Sequence, residues 1–207
     1  MARRPLTARR LLGLDRSGPP PPETLSGAPL NPWTIPNAIG IARLALLPVF
    51  LAVALSSGDG RSKLAFAIYA FVAGTDYLDG MAARITGQYS RLGTLLDPLT
   101  DRSLVISGAI VCWKFELLPR WALAVLAARE LLMLVLTRIA FKRNIELEVK
   151  MLGRWAVWPV MSALALAMLT DTVVSEALLY FGLALTLGAT VQYLRDGWEH
   201  LRPSSSS

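Results

Sequence analysis

Four aspartates fall within 26 residues, in the stretch DYLDGMAARITGQYSRLGTLLDPLTD from Asp76 to Asp101. Asp76 and Asp79 are three apart, and Asp97 and Asp101 are four apart, so on helices each pair shares a face. Two helices joined by a short turn place the pairs opposite each other. Facing carboxylates repel unless they are protonated or bridged by cations. Hard divalent cations prefer oxygen ligands, and Mg²⁺ is often held by carboxylates together with substrate phosphates. The quartet therefore reads as a site for one or two divalent ions. The residues between fit phosphate chemistry. Gly80 and Gly93 leave room for a ligand to approach the backbone, Arg84 offers a planar fork, and Ser90 adds a hydroxyl in the turn. The plainer alternative is a set of helix-end carboxylates paired with Arg84, Arg91 and Arg102.

The elements that must carry these residues are strongly apolar. Of 207 residues 54% are hydrophobic, yet the net charge is +6. The apolar residues come in long runs, and a membrane span needs about 20 of them. The runs predict six membrane helices, over 34–56, 63–86, 92–114, 119–142, 151–170 and 173–196, in an all-α integral membrane bundle. Trp33, Trp113, Trp121, Trp155, Trp158 and Trp198 all fall near span ends, where an interfacial aromatic belt would put them. With the N-terminus cytoplasmic, fifteen Lys and Arg lie on the cytoplasmic side and its helix ends, against Arg61, Lys63, Lys114 and Arg120 opposite. This asymmetry predicts both termini inside. At membrane depth each ionisable group costs about 2.5–3.5 kcal/mol on insertion scales, so four aspartates demand compensation.

Composition excludes other classes. The apolar content argues against disorder. Cys112 is the only cysteine, which excludes a disulfide scaffold and reads as a core residue. A pI near 9.9 suggests nucleic acid, but the basic residues lie between apolar segments and form no stripe. Met1 to Arg16, with five arginines around leucines, is expected to be a short interfacial amphipathic segment rather than a signal peptide. Residues 1–32 thus form an arm and Pro-rich linker, 33–197 the membrane domain, and 198–207 a disordered tail. His200 reads as a surface residue, and Ala184 with Gly188 as a small pair that could support helix packing.

The pattern D-x2-D-G-x2-A-R-x8-G-x3-D-x3-D, filled by Asp76, Asp79, Gly80, Ala83, Arg84, Gly93, Asp97 and Asp101, resembles the signature of the CDP-alcohol phosphatidyltransferases. The six-span layout matches too, so the resemblance covers roughly residues 33 to 197. It implies an integral membrane enzyme that transfers the phosphatidyl group of CDP-diacylglycerol to an alcohol and releases CMP. It also implies a homodimer surrounded by membrane lipid in the cell membrane of a bacterium, with the active site on the cytoplasmic side. By the same carry-over, Asp76, Asp79 and Asp97 would be ligands of Mg²⁺ or Mn²⁺. Asp101 would be the general base and could also touch a metal. Gly80, Arg84 and Ser90 would lie along the CDP group, with Ala83 and Gly93 allowing close packing beside it.

The acceptor is read from weaker signals. NPWTIPNAIGIARLALLPVF, with Asn37, Arg43 and Pro48, resembles phosphatidylglycerophosphate synthases and cardiolipin synthases, as do the LDP stretch and Ala128-Arg129-Glu130. Arg43, inside a span, needs either an acidic site residue or a phosphate as partner. Arg129 and Glu130 point about 100 degrees apart on a helix, which predicts no simple pair and leaves Arg129 for an acceptor phosphate. Arg154 keeps one charge of a G-K-x-K-T element common in phosphatidylglycerophosphate synthases, but Ala156 and Val157 depart from it. Arg43, Arg129 and Arg154 are the candidate acceptor contacts. Glycerol 3-phosphate is the first expected acceptor, phosphatidylglycerol the alternative, and inositol phosphate a weaker third. An ion transporter lined by the carboxylates is the competing class, but it would place them near the midplane, within repeats.

Overall fold

The computed structural model describes residues 22–24, 29–142 and 151–201. The described residues form six α-helices and no strand: α1 Ile35–Leu55, α2 Lys63–Thr86, α3 Arg91–Lys114, α4 Arg120–Lys142, α5 Met151–Leu169 and α6 Val173–Leu201. A 3-10 turn, Pro22–Thr24, precedes them. The expected spans and the helices agree to within one residue at every end but the last. There α6 continues beyond 196 to Leu201, because hydropathy marks where an apolar run stops, not where the hydrogen-bond ladder stops. The disordered tail expected over 198–207 is corrected in part: residues 198–201 are the last turn of α6, whereas 202–207, like the arm Met1–Arg16, lie outside the described residues.

Among the described residues, two helices are long and apolar enough to cross a membrane by themselves: α1, and α6 over Val173–Arg195. The apolar part of α5, Ala156–Leu169, is shorter. In α2, α3 and α4 the apolar character is lowered by the charges that drew attention in the sequence, among them Asp76, Asp79, Asp97, Asp101, Arg129 and Glu130.

The chain divides into two compact units, and the division cuts through α1, α2 and α3. The first comprises the chain up to Phe50 together with Ile68–Leu104. Its core includes Leu47, Phe50, Tyr69, Val72 and Leu104, with the rings of Phe50 and Tyr69 centred 5.3 Å apart. The α2–α3 turn is set by Gly87, whose φ of 65° is the left-handed conformation that ends helices and suits glycine.

The second unit comprises Leu51–Ala67 and the chain from Val105 onward. Here α5 packs along α6. Ala156, Val160, Ala163, Leu164 and Ala167 are buried on α5, spaced as one helix face. Leu179 and Leu183 are buried on α6. Trp121 of α4 stacks on Tyr180 of α6, ring centres 5.5 Å apart. Cys112 is fully buried, as a core residue should be.

The helices α5 and α6 are tightly packed at Gly182, where a Cβ would stand 2.6 Å from Val160 Cγ2 and 2.8 Å from its backbone nitrogen. The Ala184 and Gly188 pair does not serve this contact. Both are exposed in the chain, and a Cβ on Gly188 would meet nothing within 4 Å. The spacing of small residues identifies a stripe but not the face that the neighbouring helix meets.

Gly182→Ala should therefore lower stability by about 1–3 kcal/mol, the usual cost of overpacking. Gly188→Ala should leave stability unchanged or slightly raised, since helix propensity favours alanine by about 0.5–1 kcal/mol. Thermal unfolding of the two variants in detergent checks the contrast.

Candidate functional site

The first unit brings together most of the chemistry-bearing residues. Helix α1 supplies Asn37 and Arg43, α2 supplies Asp76, Gly80, Ala83 and Arg84, and α3 supplies Gly93, Asp97 and Asp101. Ser90 stands immediately before α3. Asp79 is on α2, but its side chain, like that of Tyr77, lies outside the described residues.

Arg43 is the centre of the arrangement. Its Nη1 donates to Asp76 Oδ1 at 3.0 Å and its Nη2 to Asp101 Oδ1 at 3.1 Å. Its Nε donates to the Val72 carbonyl at 3.1 Å. The arginine side chain is 2% exposed, whereas those of Asp76 and Asp101 are 41% and 33% exposed. Of the two partners expected for an arginine inside this span, an acidic site residue is the one found. The guanidinium is the compensation for a carboxylate on α2 facing one on α3. Breaking a buried pair from one side leaves an uncompensated charge and costs about 3–5 kcal/mol. Here partial exposure of both carboxylates lowers that figure.

Asp97, one turn before Asp101, is exposed. It lines a cleft with Gly80, Ala83, Ser90 and Gly93, along with Pro36, Asn37, Gln88, Tyr89, Thr94 and Leu96. Four of the five residues expected beside a nucleotide thus border one cleft. Arg84 is not among its lining residues. Its guanidinium lies over Gly80, where a Cβ would come within 3.4 Å of Nη1. The space left by that glycine is taken up by the arginine of the same helix.

Ser90 is the N-cap of α3. Its Oγ accepts from the Gly93 amide at 2.9 Å, the pattern expected three residues into a helix. The same hydroxyl donates to Asn37 Oδ1 at 2.8 Å. Asn37 Nδ2 in turn donates to the carbonyls of Asn31 and Pro32 at 2.9 and 3.2 Å. The Ile35 amide donates to Gln88 Oε1 at 2.9 Å, and the Leu92 amide to the Leu30 carbonyl at 3.2 Å. The segment entering α1 is stitched to the α2–α3 turn. Gly93 is crowded, since a Cβ would stand 3.0 Å from Asn37 Oδ1 and 3.2 Å from Ser90 Oγ. Sequence reasoning marked Asn37 as recognisable but assigned it no role, and it passed over Gln88 and Tyr89. The available signal was TIPN itself, a lone polar Asn37 in the first turn of an otherwise apolar helix.

Arg129 belongs to the second unit and is not left open. It is buried, its Nη1 bonds to Glu130 Oε1, and its Nε donates to Thr190 Oγ1 at 3.0 Å. Thr190 passes the network on to the Thr186 carbonyl at 2.9 Å. The expectation of no simple Arg129–Glu130 pair is corrected: neighbouring Cβ directions diverge, but the long arginine stem folds back to its neighbour. Arg154 is on α5, and its side chain lies outside the described residues.

Carboxylate oxygens are the donors a hard divalent cation prefers, and Asp76 and Asp101 meet at one guanidinium. Among the described residues no three acidic, histidine or cysteine side chains are grouped closely enough to hold an ion together. The donor set fits such an ion by chemistry.

Removing the cap should be costly. Ser90→Ala should destabilise the protein by about 0.5–2 kcal/mol, and Asn37→Ala added to it should cost less than Asn37→Ala alone, because the two share one hydrogen bond. Thermal unfolding of the single and double variants reads this directly.

Residues 33–188 match the CDP-alcohol phosphatidyltransferase family. The chain is 38% identical over 143 residues to a cardiolipin synthase (CMP-forming) of Streptomyces coelicolor, covering 67% of this chain and 66% of that protein. It is 31% identical over 192 residues to the CDP-diacylglycerol–glycerol-3-phosphate 3-phosphatidyltransferase of Bacillus subtilis, covering 84% of this chain and all of that protein. A putative cardiolipin synthase of Mycobacterium tuberculosis is 32% identical over 164 residues, covering 78% of each. With the signature aspartates on α2 and α3 and the match running through all six helices, the chain belongs to the CDP-alcohol phosphatidyltransferase family.

Proposed function

We propose that the protein transfers the phosphatidyl group of CDP-diacylglycerol to sn-glycerol 3-phosphate, releasing CMP and forming phosphatidylglycerophosphate. The observation that carries this reading is the Arg43-centred meeting of Asp76 and Asp101 beside a cleft bordered by Gly80, Ala83, Ser90, Gly93 and Asp97. The full-length similarity to the Bacillus subtilis glycerol-3-phosphate enzyme supports the choice of acceptor.

In this reading Asp101 accepts the proton of the attacking hydroxyl, a task that needs a carboxylate within direct reach. Gly80, Ala83, Ser90 and Gly93 shape the cleft for the cytidine and pyrophosphate, and Arg84 supplies positive charge at its edge. Asp76, Asp79, Asp97 and Asp101 hold Mg²⁺ or Mn²⁺. The bound ions would neutralise the pyrophosphate and stabilise the leaving CMP. Arg154 remains the candidate for the acceptor's phosphate. All six helices cross the membrane, both termini and the site face the cytoplasm, and the enzyme works as a homodimer. The exposure of Trp33, Trp113, Trp121 and Trp158 supports that placement, since indoles at span ends suit the interface.

A second acceptor, phosphatidylglycerol, giving cardiolipin, is favoured by two observations. Arg43 and Arg129 are both engaged by protein groups, which leaves fewer cations for a small anionic acceptor. The Streptomyces coelicolor cardiolipin synthase also shows the higher identity over its matched region.

The test is CMP release from CDP-diacylglycerol in liposomes with Mg²⁺ or Mn²⁺, offering glycerol 3-phosphate, phosphatidylglycerol and inositol phosphate separately. Turnover with glycerol 3-phosphate is expected. Turnover with phosphatidylglycerol alone would establish the second acceptor, and no CMP with any of them would refute the enzyme reading. Asp101→Asn should lower kcat by about 10²–10⁴-fold, the range for a general base, with CDP-diacylglycerol binding kept.

A further inference from the structure

We infer that Arg43 is a positioning residue of the carboxylate site, a resident cation that fixes Asp76 on α2 against Asp101 on α3, rather than a contact for the acceptor. The inference rests on the proposed reading of these two aspartates as reaction-site groups.

Exposure is the first argument. An arginine that receives an anionic substrate must present its N–H edge to the space the substrate enters. Arg43 is 2% exposed, while the carboxylates it holds are 41% and 33% exposed. The carboxylates face outward and the guanidinium stands behind them. Donor use is the second argument. Nε, Nη1 and Nη2 each donate to a protein acceptor, and those acceptors belong to two helices. A planar guanidinium keeps its donors in fixed relative directions, so satisfying all three at once sets the spacing of Asp76 from Asp101. The bond to the Val72 carbonyl ties the fork to the α2 backbone one turn before Asp76. Electrostatics is the third argument. Without this cation the two carboxylates would confront each other across the helices, and their repulsion would drive them apart.

A lysine could supply the charge but not three fixed directions. The role is therefore geometric as well as ionic, and the two variants Arg43→Lys and Arg43→Met separate these parts.

The experiment uses the full chain in detergent with the acceptor on which the wild type turns over. Both variants should lose kcat by roughly 10–100-fold, the usual effect of removing a group that orients a ligand residue. Arg43→Lys should lose less, and the acceptor KM should stay within about twofold of wild type. A rise in acceptor KM of about tenfold with kcat kept would overturn the inference, because that is the signature of a substrate contact. A second readout needs neither metal nor turnover. In EDTA, Arg43→Met should lower the unfolding temperature, and adding Asp101→Asn should recover part of the loss by removing one of the two opposed charges. Additive losses would overturn the clamp. Should Arg43→Met fail to fold, the neutral variant Arg43→Gln with and without Asp101→Asn carries the same comparison. If wild-type protein releases no CMP with any acceptor, the reaction assignment fails by itself, and the EDTA series still decides whether Arg43 holds Asp101.

Discussion

The arrangement turns on how a carboxylate on one apolar helix can face a carboxylate on the next. Arg43 supplies the answer from a third helix, with a nearly unexposed guanidinium bonded to Asp76, to Asp101 and to the Val72 carbonyl. Each of these groups alone would be expensive where it stands. Together they satisfy one another, and the geometry of the fork fixes the relation of α1, α2 and α3 within the first unit. Buried ion pairs are weak evidence for stability in general. Their better-attested use is to specify one arrangement over others, and a three-helix meeting of charges has few alternative registers.

A second polar seam holds the same unit at its other end. Asn37 joins the segment before α1 to Ser90, and Ser90 caps the helix that carries Asp97 and Asp101. Gly93 sits where any Cβ would press on both side chains. These residues border the cleft, so the packing that closes the helix end and the shape of the cleft are set by the same atoms. Gly80 follows related logic within α2, since the absence of a side chain lets Arg84 lie across the backbone. Glycines that a motif presents as room for a ligand are here also room for protein side chains.

Much of this was legible before any coordinates. The six helices are readable because apolar runs and polar breaks mark them plainly, and the aspartates because their spacing puts them on helix faces. The motif residues of α2 and α3 needed no more than periodicity to be gathered near one another. What the sequence hides is partner choice for long side chains. Arg129 was expected to look away from Glu130, and it bonds to it instead. Arg43 had two classes of partner open to it, and only packing selects between them. Helix contacts made by small residues were similarly hidden: Gly182 with Thr186 and Ala184 with Gly188 are small pairs of the same spacing, and only packing shows that the first is buried while the second is exposed. Local spacing specifies faces, and tertiary packing decides which face is used.

The sequence separations within the Arg43 cluster bear on how the protein is made. Its two carboxylate partners lie 33 and 58 residues further along the chain. A chain emerging from its N-terminus therefore completes α1 while the charge in that helix still has no counterpart. In the membrane reading, an arginine at the centre of a span costs about 2.5–3.5 kcal/mol on insertion, and the surrounding apolar run must carry that cost alone at first. Synthesis of α2 brings the first carboxylate, and synthesis of α3 brings the second. On that reading, final seating of the first helix is tied to the arrival of the third, and the α1–α3 group is a single step of assembly rather than three independent insertions.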